Sequence, residues 1–147
     1  MTAYGDVFTE LVSTEIALWN QLDRMLTTAT GVSAAQLQAL TAIDRLAGSA
    51  RVQDVSETLQ ITVGAASKLI DRLERDGLAG RSAHPRDRRS MVIQLTTAGE
   101  EALAEASVAA ESSLVRLLGA HLDPDRARSL ATALRSVREG LTAGVLA

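Results

Sequence analysis

The sequence predicts a mainly α-helical chain that carries one short β-hairpin. Its 147 residues are enough for one ordinary domain with a single core. Only three residues are aromatic, Tyr4, Phe8 and Trp19, and a core of Leu, Val, Ile and Ala favours packed helices over a β-sandwich. The hairpin is indicated near the middle of the chain, where the apolar runs Leu78–Ala79 and Met91–Leu95 flank a polar loop.

Apolar residues at helical spacing indicate six helices. They are expected at residues 3–29, from Ala34 to about Leu46, at Val52–Leu59, at Val63–Asp76, from Thr96 or Thr97 to Gly119, and from Pro124 onward. A short extended segment is expected before Val52. The order is therefore α-α-β-α-α-β-β-α-α, mainly α with a small β-wing.

Residues at the helix ends support these boundaries. Capping boxes are indicated at two helix starts, Ser33–Gln36 and Thr97–Glu100. Thr62 is a good N-cap for the fourth helix, and Gly77 supplies a left-handed residue after its last turn. The third helix is the exception, because Arg51 stands where a hydroxyl or carboxylate cap is expected.

Composition excludes several classes of protein. No apolar run approaches the roughly 18 residues needed to cross a bilayer, and Asp6 and Glu10 argue against a signal peptide. The absence of cysteine excludes disulfides, thiolate zinc sites and thiol redox sensing. A cytoplasmic protein is therefore expected.

The net charge of −3 is unevenly distributed along the chain. Residues 61–96 contain seven basic and four acidic side chains, whereas the flanking segments are acidic. Phosphate binding depends on a local basic patch rather than on the total charge. The middle of the chain supplies such a patch.

The third and fourth predicted helices, joined by residues 60–62, have the spacing of a helix-turn-helix. If Ala66, Leu69 and Ile70 face inward, the fourth helix presents its other face to the major groove of DNA. The expected contacts come from Thr62, Gly64, Ala65, Ser67, Lys68 and Arg72. Small residues permit close approach and a thymine-methyl contact, and the polar ones can reach bases or phosphates. Taken alone, this pattern fits the solvated face of a surface helix better.

The predicted hairpin favours DNA contact over a solvated surface helix. Arg86, Arg88 and Arg89 repel one another at a loop tip and add nothing to a core, whereas a narrow minor groove attracts arginine. Asp87 is expected to pair with Arg89 and to preset its guanidinium. The alternative is a solvated turn with a surface ion pair worth about 0–1 kcal/mol. Together, helix and hairpin favour contact with DNA.

The chain resembles the multiple-antibiotic-resistance regulators, or MarR-type winged-helix repressors. The resemblance runs from Ser33 to Gly99 and rests on the segments Leu69–Leu78, Arg81, Pro85–Arg89 and Leu95–Gly99. It implies an obligate homodimer, a pseudo-palindromic operator, and release by a small, often aromatic or phenolic ligand.

By position, the resemblance gives the recognition-helix roles to Ala65, Ser67, Lys68 and Arg72, and Asp87 and Arg89 match the Asp-x-Arg motif of the wing. Two departures stand out. Arg51 replaces the usual hydroxyl cap, and the lack of cysteine excludes the branch that senses peroxides through a thiol.

The predicted domain organisation follows from the flanking helices. Residues 33–96 are expected to form the winged helix-turn-helix domain, and residues 1–32 and 97–147 a helical dimerisation region. The first helix is apolar over more than half its circumference, which is more than one partner needs. Leu130, Leu134, Val137 and Leu141 follow the rhythm of a coiled-coil seam.

A ligand pocket, if present, is expected between the first helix, the second helix and the winged domain. Its candidate lining residues are Trp19, Leu22, Leu40 and Thr41, for which ordinary core or dimer packing is the alternative. The only histidines, His84 and His121, are far apart in sequence and give no basis for a metal site. No catalytic constellation and no cofactor are expected.

The sequence therefore predicts a homodimeric, sequence-specific DNA-binding transcriptional regulator, a repressor released by a small aromatic or phenolic ligand. Its expected partners are double-stranded DNA, a second copy of itself and a small-molecule effector, with no role for a membrane. The alternative is a dimeric helical protein–protein module that kept the fold without binding DNA.

Overall fold

The computed structural model describes residues 2–145 and consists of six helices and one two-stranded antiparallel sheet. The elements are α1 (Ala3–Thr30), α2 (Ala34–Arg45), α3 (Val52–Leu59), α4 (Val63–Arg75), β1 (Ala79–His84), β2 (Asp87–Leu95), α5 (Thr97–Gly119) and α6 (Pro124–Val145). All six predicted helices are confirmed.

The predicted end signals act at several helix termini. The Ser33 hydroxyl accepts from the Gln36 backbone N–H at 3.1 Å, and the Gln36 side chain accepts from the Ser33 N–H at 3.0 Å, which completes the capping box. Thr62 Oγ1 accepts from the Ala65 N–H at 3.1 Å at the start of α4. Gly77 adopts φ 74°, a left-handed conformation that glycine accepts without strain.

The start of α5 differs from the prediction in detail. Thr96 is the cap, because its Oγ1 accepts from the Gly99 N–H at 3.0 Å. The same hydroxyl donates to the Gly77 carbonyl at 2.6 Å. Thr97 is already the first helical residue, so the expected Thr97–Glu100 box gives way to a cap that also holds the end of α4.

Arg51 precedes α3 without a side-chain cap of its own, as its residue type predicts. The Asp54 carboxylate compensates in part, since it accepts from the Arg51 backbone N–H at 2.9 Å. This is the return half of a capping box. The third helix is therefore held at its N-terminus by an acid in its first turn.

The hairpin is longer than the apolar runs indicate. The strands pair from Ala79 opposite Leu95 to Ala83 opposite Met91, with an irregularity at His84. Beyond Ala83 the register shifts, so that His84 pairs with Asp87 and residues 88–90 of β2 have no partner on β1. Only Pro85 and Arg86 lie between the two strands. The short extended segment before α3 is reduced to one bridge, in which the Ile93 N–H donates to the Ala50 carbonyl at 2.7 Å.

One apolar core joins α1, the helix-turn-helix, the base of the hairpin and the first half of α5. Its largest fully buried side chains are Leu26, Leu40, Ile43, Val55, Ile70, Leu73, Val92 and Ile93. Small residues of α5, among them Ala106 and Ala110, complete it. Helix α4 and the hairpin therefore rest on the same core.

The chain forms two compact units, Met1–Glu111 and Ser112–Ala147, and the boundary falls within α5. The predicted division at residues 33 and 97 stays a prediction. Each unit carries exposed apolar side chains. In the first unit one group lies on α1, at Tyr4, Val7, Phe8, Leu11, Val12 and Ile16, and in the second unit one group lies on α6, at Leu130, Leu134, Val137 and Leu141.

Gly99 is required by a close approach of two backbones. A Cβ atom at this position would lie 1.9 Å from the Leu78 carbonyl oxygen, and backbone cannot yield as a flexible side chain can. We expect Gly99→Ala to lower the free energy of unfolding by about 2 kcal/mol, as overpacking does. Urea denaturation followed by circular dichroism measures the change.

Gly80→Ala is the matched control, since a Cβ there would meet nothing within 4 Å. Equal unfolding midpoints for the two alanine variants would contradict the assignment of Gly99 to a steric role.

Candidate nucleic-acid interface

Helix α4 packs one face on the core and leaves the other to solvent. Ala66, Leu69, Ile70 and Leu73 are buried, as the sequence predicts. Helix α3 packs against α4 and completes the helix-turn-helix. The turn between them is fixed by the buried Ser56, whose hydroxyl donates to the Ile61 carbonyl at 2.8 Å.

The predicted recognition residues lie on the solvent side of α4. Gly64, Ala65, Lys68 and Arg72 are exposed, and Ser67 is half-buried. Thr62 is also exposed, although its hydroxyl oxygen already caps the helix. The hydroxyl proton is not needed for that cap and remains able to donate to a ligand.

Val63, the first residue of α4, is an exposed residue that was not among the predicted DNA contacts. Its spacing to Ala66 and Ile70 suits the inward stripe, yet it is 46% exposed because nothing covers the first turn of the helix. An exposed branched side chain beside Gly64 and Ala65 gives the tip of α4 an apolar character. Its position at N1, rather than its residue type, is the signal that could have found it.

Arg81 lies in the segment predicted to be a polar loop, but in the structure it belongs to β1, beside α4. Its guanidinium Nη1 lies 2.9 Å from Asp71 Oδ1 and 2.9 Å from Glu74 Oε2, so it pairs with two acids of α4. The side chain is only 25% exposed. Strand β1 packs against α4, which brings Arg81 to these carboxylates.

The remaining arginines of the hairpin differ from Arg81. Arg86, Arg88 and Arg89 are exposed, and within residues 2–145 none has a carboxylate at ion-pair distance. The turn that carries them is shaped by His84, whose Nδ1 accepts from the Arg86 backbone N–H at 3.1 Å. The sequence analysis gave His84 no such part, because the strand length that places it there was not predicted.

Asp87 contacts Arg89 differently from the sequence prediction. Its carboxylate accepts from the Arg89 backbone N–H at 3.1 Å, not from the guanidinium. A short side chain that bonds to the backbone two residues on is typical of aspartate at a turn. Asp87 therefore shapes the start of β2 and leaves the Arg89 guanidinium unpaired.

One of the four predicted pocket residues lines a cavity. The cavity measures about 370 Å³ and is lined by Glu15, Trp19, Ala35, Gln38, Leu59, Ile61 and Leu69. Leu40 is fully buried in the core instead, and Leu22 packs against that core. Thr41 donates its hydroxyl to the Leu37 carbonyl at 2.8 Å, within its own helix. The sequence thus predicted that α1, α2 and the winged domain form the cavity, but apart from Trp19 it did not predict which of their residues line it.

Residues 2–145 contain neither a metal-binding cluster nor a membrane-spanning helix. That part of the chain contains no group of three or more His, Asp or Glu side chains placed to hold a metal ion. His84 is the last residue of β1, and His121 lies in the connection between α5 and α6. Nor is any helix in the described residues long and apolar enough to span a membrane.

This sequence aligns with known bacterial proteins. The transcriptional repressor MdtR of Bacillus subtilis (strain 168) is 30% identical over 88 residues, which cover 60% of this chain and 56% of MdtR. The chain thus spans about half the length of that relative. The multiple antibiotic resistance protein MarR of Escherichia coli (strain K12) is 27% identical over 143 residues, 93% of this chain and 99% of MarR.

Residues 30–90 match the sequence profile of the MarR family. The structure of Sco3205, a MarR family transcriptional regulator from Streptomyces coelicolor in complex with DNA, superposes with a TM-score of 0.82. It is 25% identical, and the match covers 96% of this chain and 89% of that one. Over residues 30–90 and in its fold, the chain is similar to the MarR family of transcriptional regulators. The winged helix-turn-helix fold predicted from the sequence is thereby confirmed, and α4 and the hairpin occupy the places of its second helix and its wing.

The double ion pair of Arg81 is expected to stabilise this MarR-family fold. Arg81→Met keeps the apolar stem but leaves the half-buried Glu74 without its cation, so we expect the free energy of unfolding to fall by about 1 kcal/mol. Urea unfolding measures it. Arg88→Met is the control, since Arg88 has no partner acid among the described residues, and its effect should stay within about 0.5 kcal/mol. Equal losses in the two variants would refute a specific role for Arg81.

Proposed function

We propose that this chain is a homodimeric, sequence-specific DNA-binding repressor that acts in the cytoplasm and is released by a small ligand. The observation that carries the proposal is the separation of arginines in the wing. Arg81 is neutralised by two acids, whereas Arg86, Arg88 and Arg89 are exposed and unpaired in the described chain. Unpaired guanidiniums add nothing to a fold and suit phosphates and a narrow minor groove.

The recognition helix supplies the second half of the proposed reader. With the N-terminal half of α4 in the major groove, the small residues Gly64 and Ala65 permit close approach of the backbone. Lys68 and Ser67 can donate to bases or phosphates, and Arg72 to a flanking phosphate. We propose that the Thr62 hydroxyl, whose oxygen caps α4, donates its proton to the DNA backbone. The DNA complex formed by Sco3205 supports this assignment by similarity.

Binding to duplexes selected from a random library tests the wing. Contacts between basic side chains and phosphates raise the affinity for DNA and make it fall with salt. We therefore expect the double variant Arg88→Ala/Arg89→Ala to bind DNA at least about tenfold more weakly than the wild type. Its plot of log K against log salt concentration should be shallower by about two for each subunit. Fluorescence anisotropy over a range of salt concentrations measures both quantities.

Arg135→Ala/Arg138→Ala on α6 is the matched control, because it removes the same charge from exposed positions outside the wing. If the wing and control variants bind alike, the wing does not contact DNA. If no duplex is selected at all, the helical protein–protein module becomes the better interpretation.

The exposed apolar faces of α1 and α6 support the dimer. A contiguous apolar surface on a protein of this size marks an interface, and a two-fold dimer is the commonest solution. Each unit of the chain carries such a face, at Tyr4–Ile16 in the first and Leu130–Leu141 in the second. We propose that a second copy covers both, so that two recognition helices meet a pseudo-palindromic operator.

Sedimentation equilibrium tests the dimer. The wild type should have twice the monomer mass of 15.5 kDa, and Leu134→Asp should weaken association at least roughly tenfold, because a charge would be buried in the interface. Ser136→Asp adds the same charge off the apolar stripe and should leave the mass unchanged. A monomeric wild type, or equal effects of the two variants, would remove the dimer from the proposal.

Ligand release is the third part of the proposed function. Leu59, Ile61 and Leu69 line the cavity and belong to the helix-turn-helix, so an occupant would touch the inner side of the recognition helix. A ligand that prefers one position of this helix shifts DNA affinity by its differential binding free energy, typically about 1–3 kcal/mol. We propose a small aromatic effector at this site, phenolic ligands being the class implied by the sequence resemblance.

A further inference from the structure

The cavity beside Trp19 has an uneven chemical lining. Five of its residues are apolar or aromatic, Trp19, Ala35, Leu59, Ile61 and Leu69. The other two are Gln38 and Glu15, so the only ionisable side chain is a carboxylate. No lysine, arginine or histidine is part of the wall. The lining therefore carries a negative charge on an otherwise apolar surface.

Glu15 and Trp19 lie one helical turn apart on α1, which places them side by side at the cavity. Among the described residues no cation pairs with Glu15. The carboxylate is thus available to a ligand, and the indole next to it offers an electron-rich face. A carboxylate supplies the opposite charge and an indole supplies the aromatic face, and these two features together bind organic cations.

We propose that this cavity takes an aromatic organic cation, such as an aryl ammonium compound, in preference to a phenolate or carboxylate. The inference rests on the ligand site of the proposed function and specifies the charge of its occupant. An anion would face the Glu15 carboxylate with only the Gln38 amide to donate to it, and the two negative charges would repel each other. A cation gains the carboxylate and the ring together, while its aromatic body fills the apolar wall.

The position of the cavity gives the cation a route to the DNA-binding helix. Ile61 directly precedes Thr62, the cap of α4, and Leu69 lies within α4. An aromatic body between Trp19 and these side chains presses on the turn of the helix-turn-helix and on the inner face of α4. Binding of the cation is therefore expected to shift the position of α4 and so to change the affinity for DNA.

Three probes with one biphenyl body separate charge from shape. They are biphenylmethyl-trimethylammonium, biphenylacetate and biphenylmethanol, measured by isothermal titration calorimetry on the full chain. Trp19 is the only tryptophan, so quenching of its fluorescence reports independently whether a probe reaches the cavity. The cation should bind at least about tenfold more tightly than the anion.

Glu15→Gln keeps the shape of the side chain and removes its charge. It should weaken binding of the cation roughly two- to fivefold and leave the affinity for the neutral alcohol unchanged. The difference in affinity between the cation and the anion should therefore become smaller. Glu10→Gln is the matched control, an exposed glutamate on the same helix that does not line the cavity. Both positions are exposed, so neither substitution is expected to disturb folding.

Tighter binding of biphenylacetate, or the same cation affinity in Glu15→Gln and Glu10→Gln, would overturn the inference. Absence of binding by all three probes would overturn it as well. None of these results bears on DNA binding, which is measured separately with the selected duplex. Conversely, failure to select a duplex would refute the proposed function while cation binding at Trp19 could still be observed.

Discussion

The arrangement of this molecule depends on a backbone junction at Leu78. The Leu78 carbonyl accepts from the Thr96 N–H at 3.1 Å and lies against the bare Cα of Gly99. Thr96 in turn donates its hydroxyl to Gly77. The end of the recognition helix, both ends of the hairpin and the start of α5 thus meet within a few residues. Because these bonds are between backbone groups or short side chains, the junction leaves little freedom to the wing.

The junction also explains why arginines close in sequence have different surroundings. Strand β1 leaves Leu78 along α4, which brings Arg81 to Asp71 and Glu74. Farther along, the hairpin extends past the acids of α4, and Arg88 and Arg89 have no carboxylate at ion-pair distance in the described chain. The position of each arginine along the hairpin, and not its residue type, decides whether it pairs with an acid of α4.

Much of the fold could be predicted from the sequence, because helix boundaries are set by local chemistry. Ser33, Thr62 and Gly77 act within one turn of themselves, so their types suffice. The partners of Arg81 and Asp87 could not be predicted, since they depend on how far the strands pair. Likewise, Trp19 lines the cavity while Leu40 is buried in the core, a choice made by the crossing of helices and not by hydrophobicity.

The irregularity near the tip of the hairpin has a consequence for its cations. Ala83 pairs with Met91 and His84 with Asp87, so Arg88, Arg89 and Ser90 are extra residues of β2 that face no partner on β1. Extra residues on one strand bend it and increase its local twist. Deleting these three residues would restore a regular ladder and remove both arginines. In this sequence the bend of the strand and its two cations are therefore one feature.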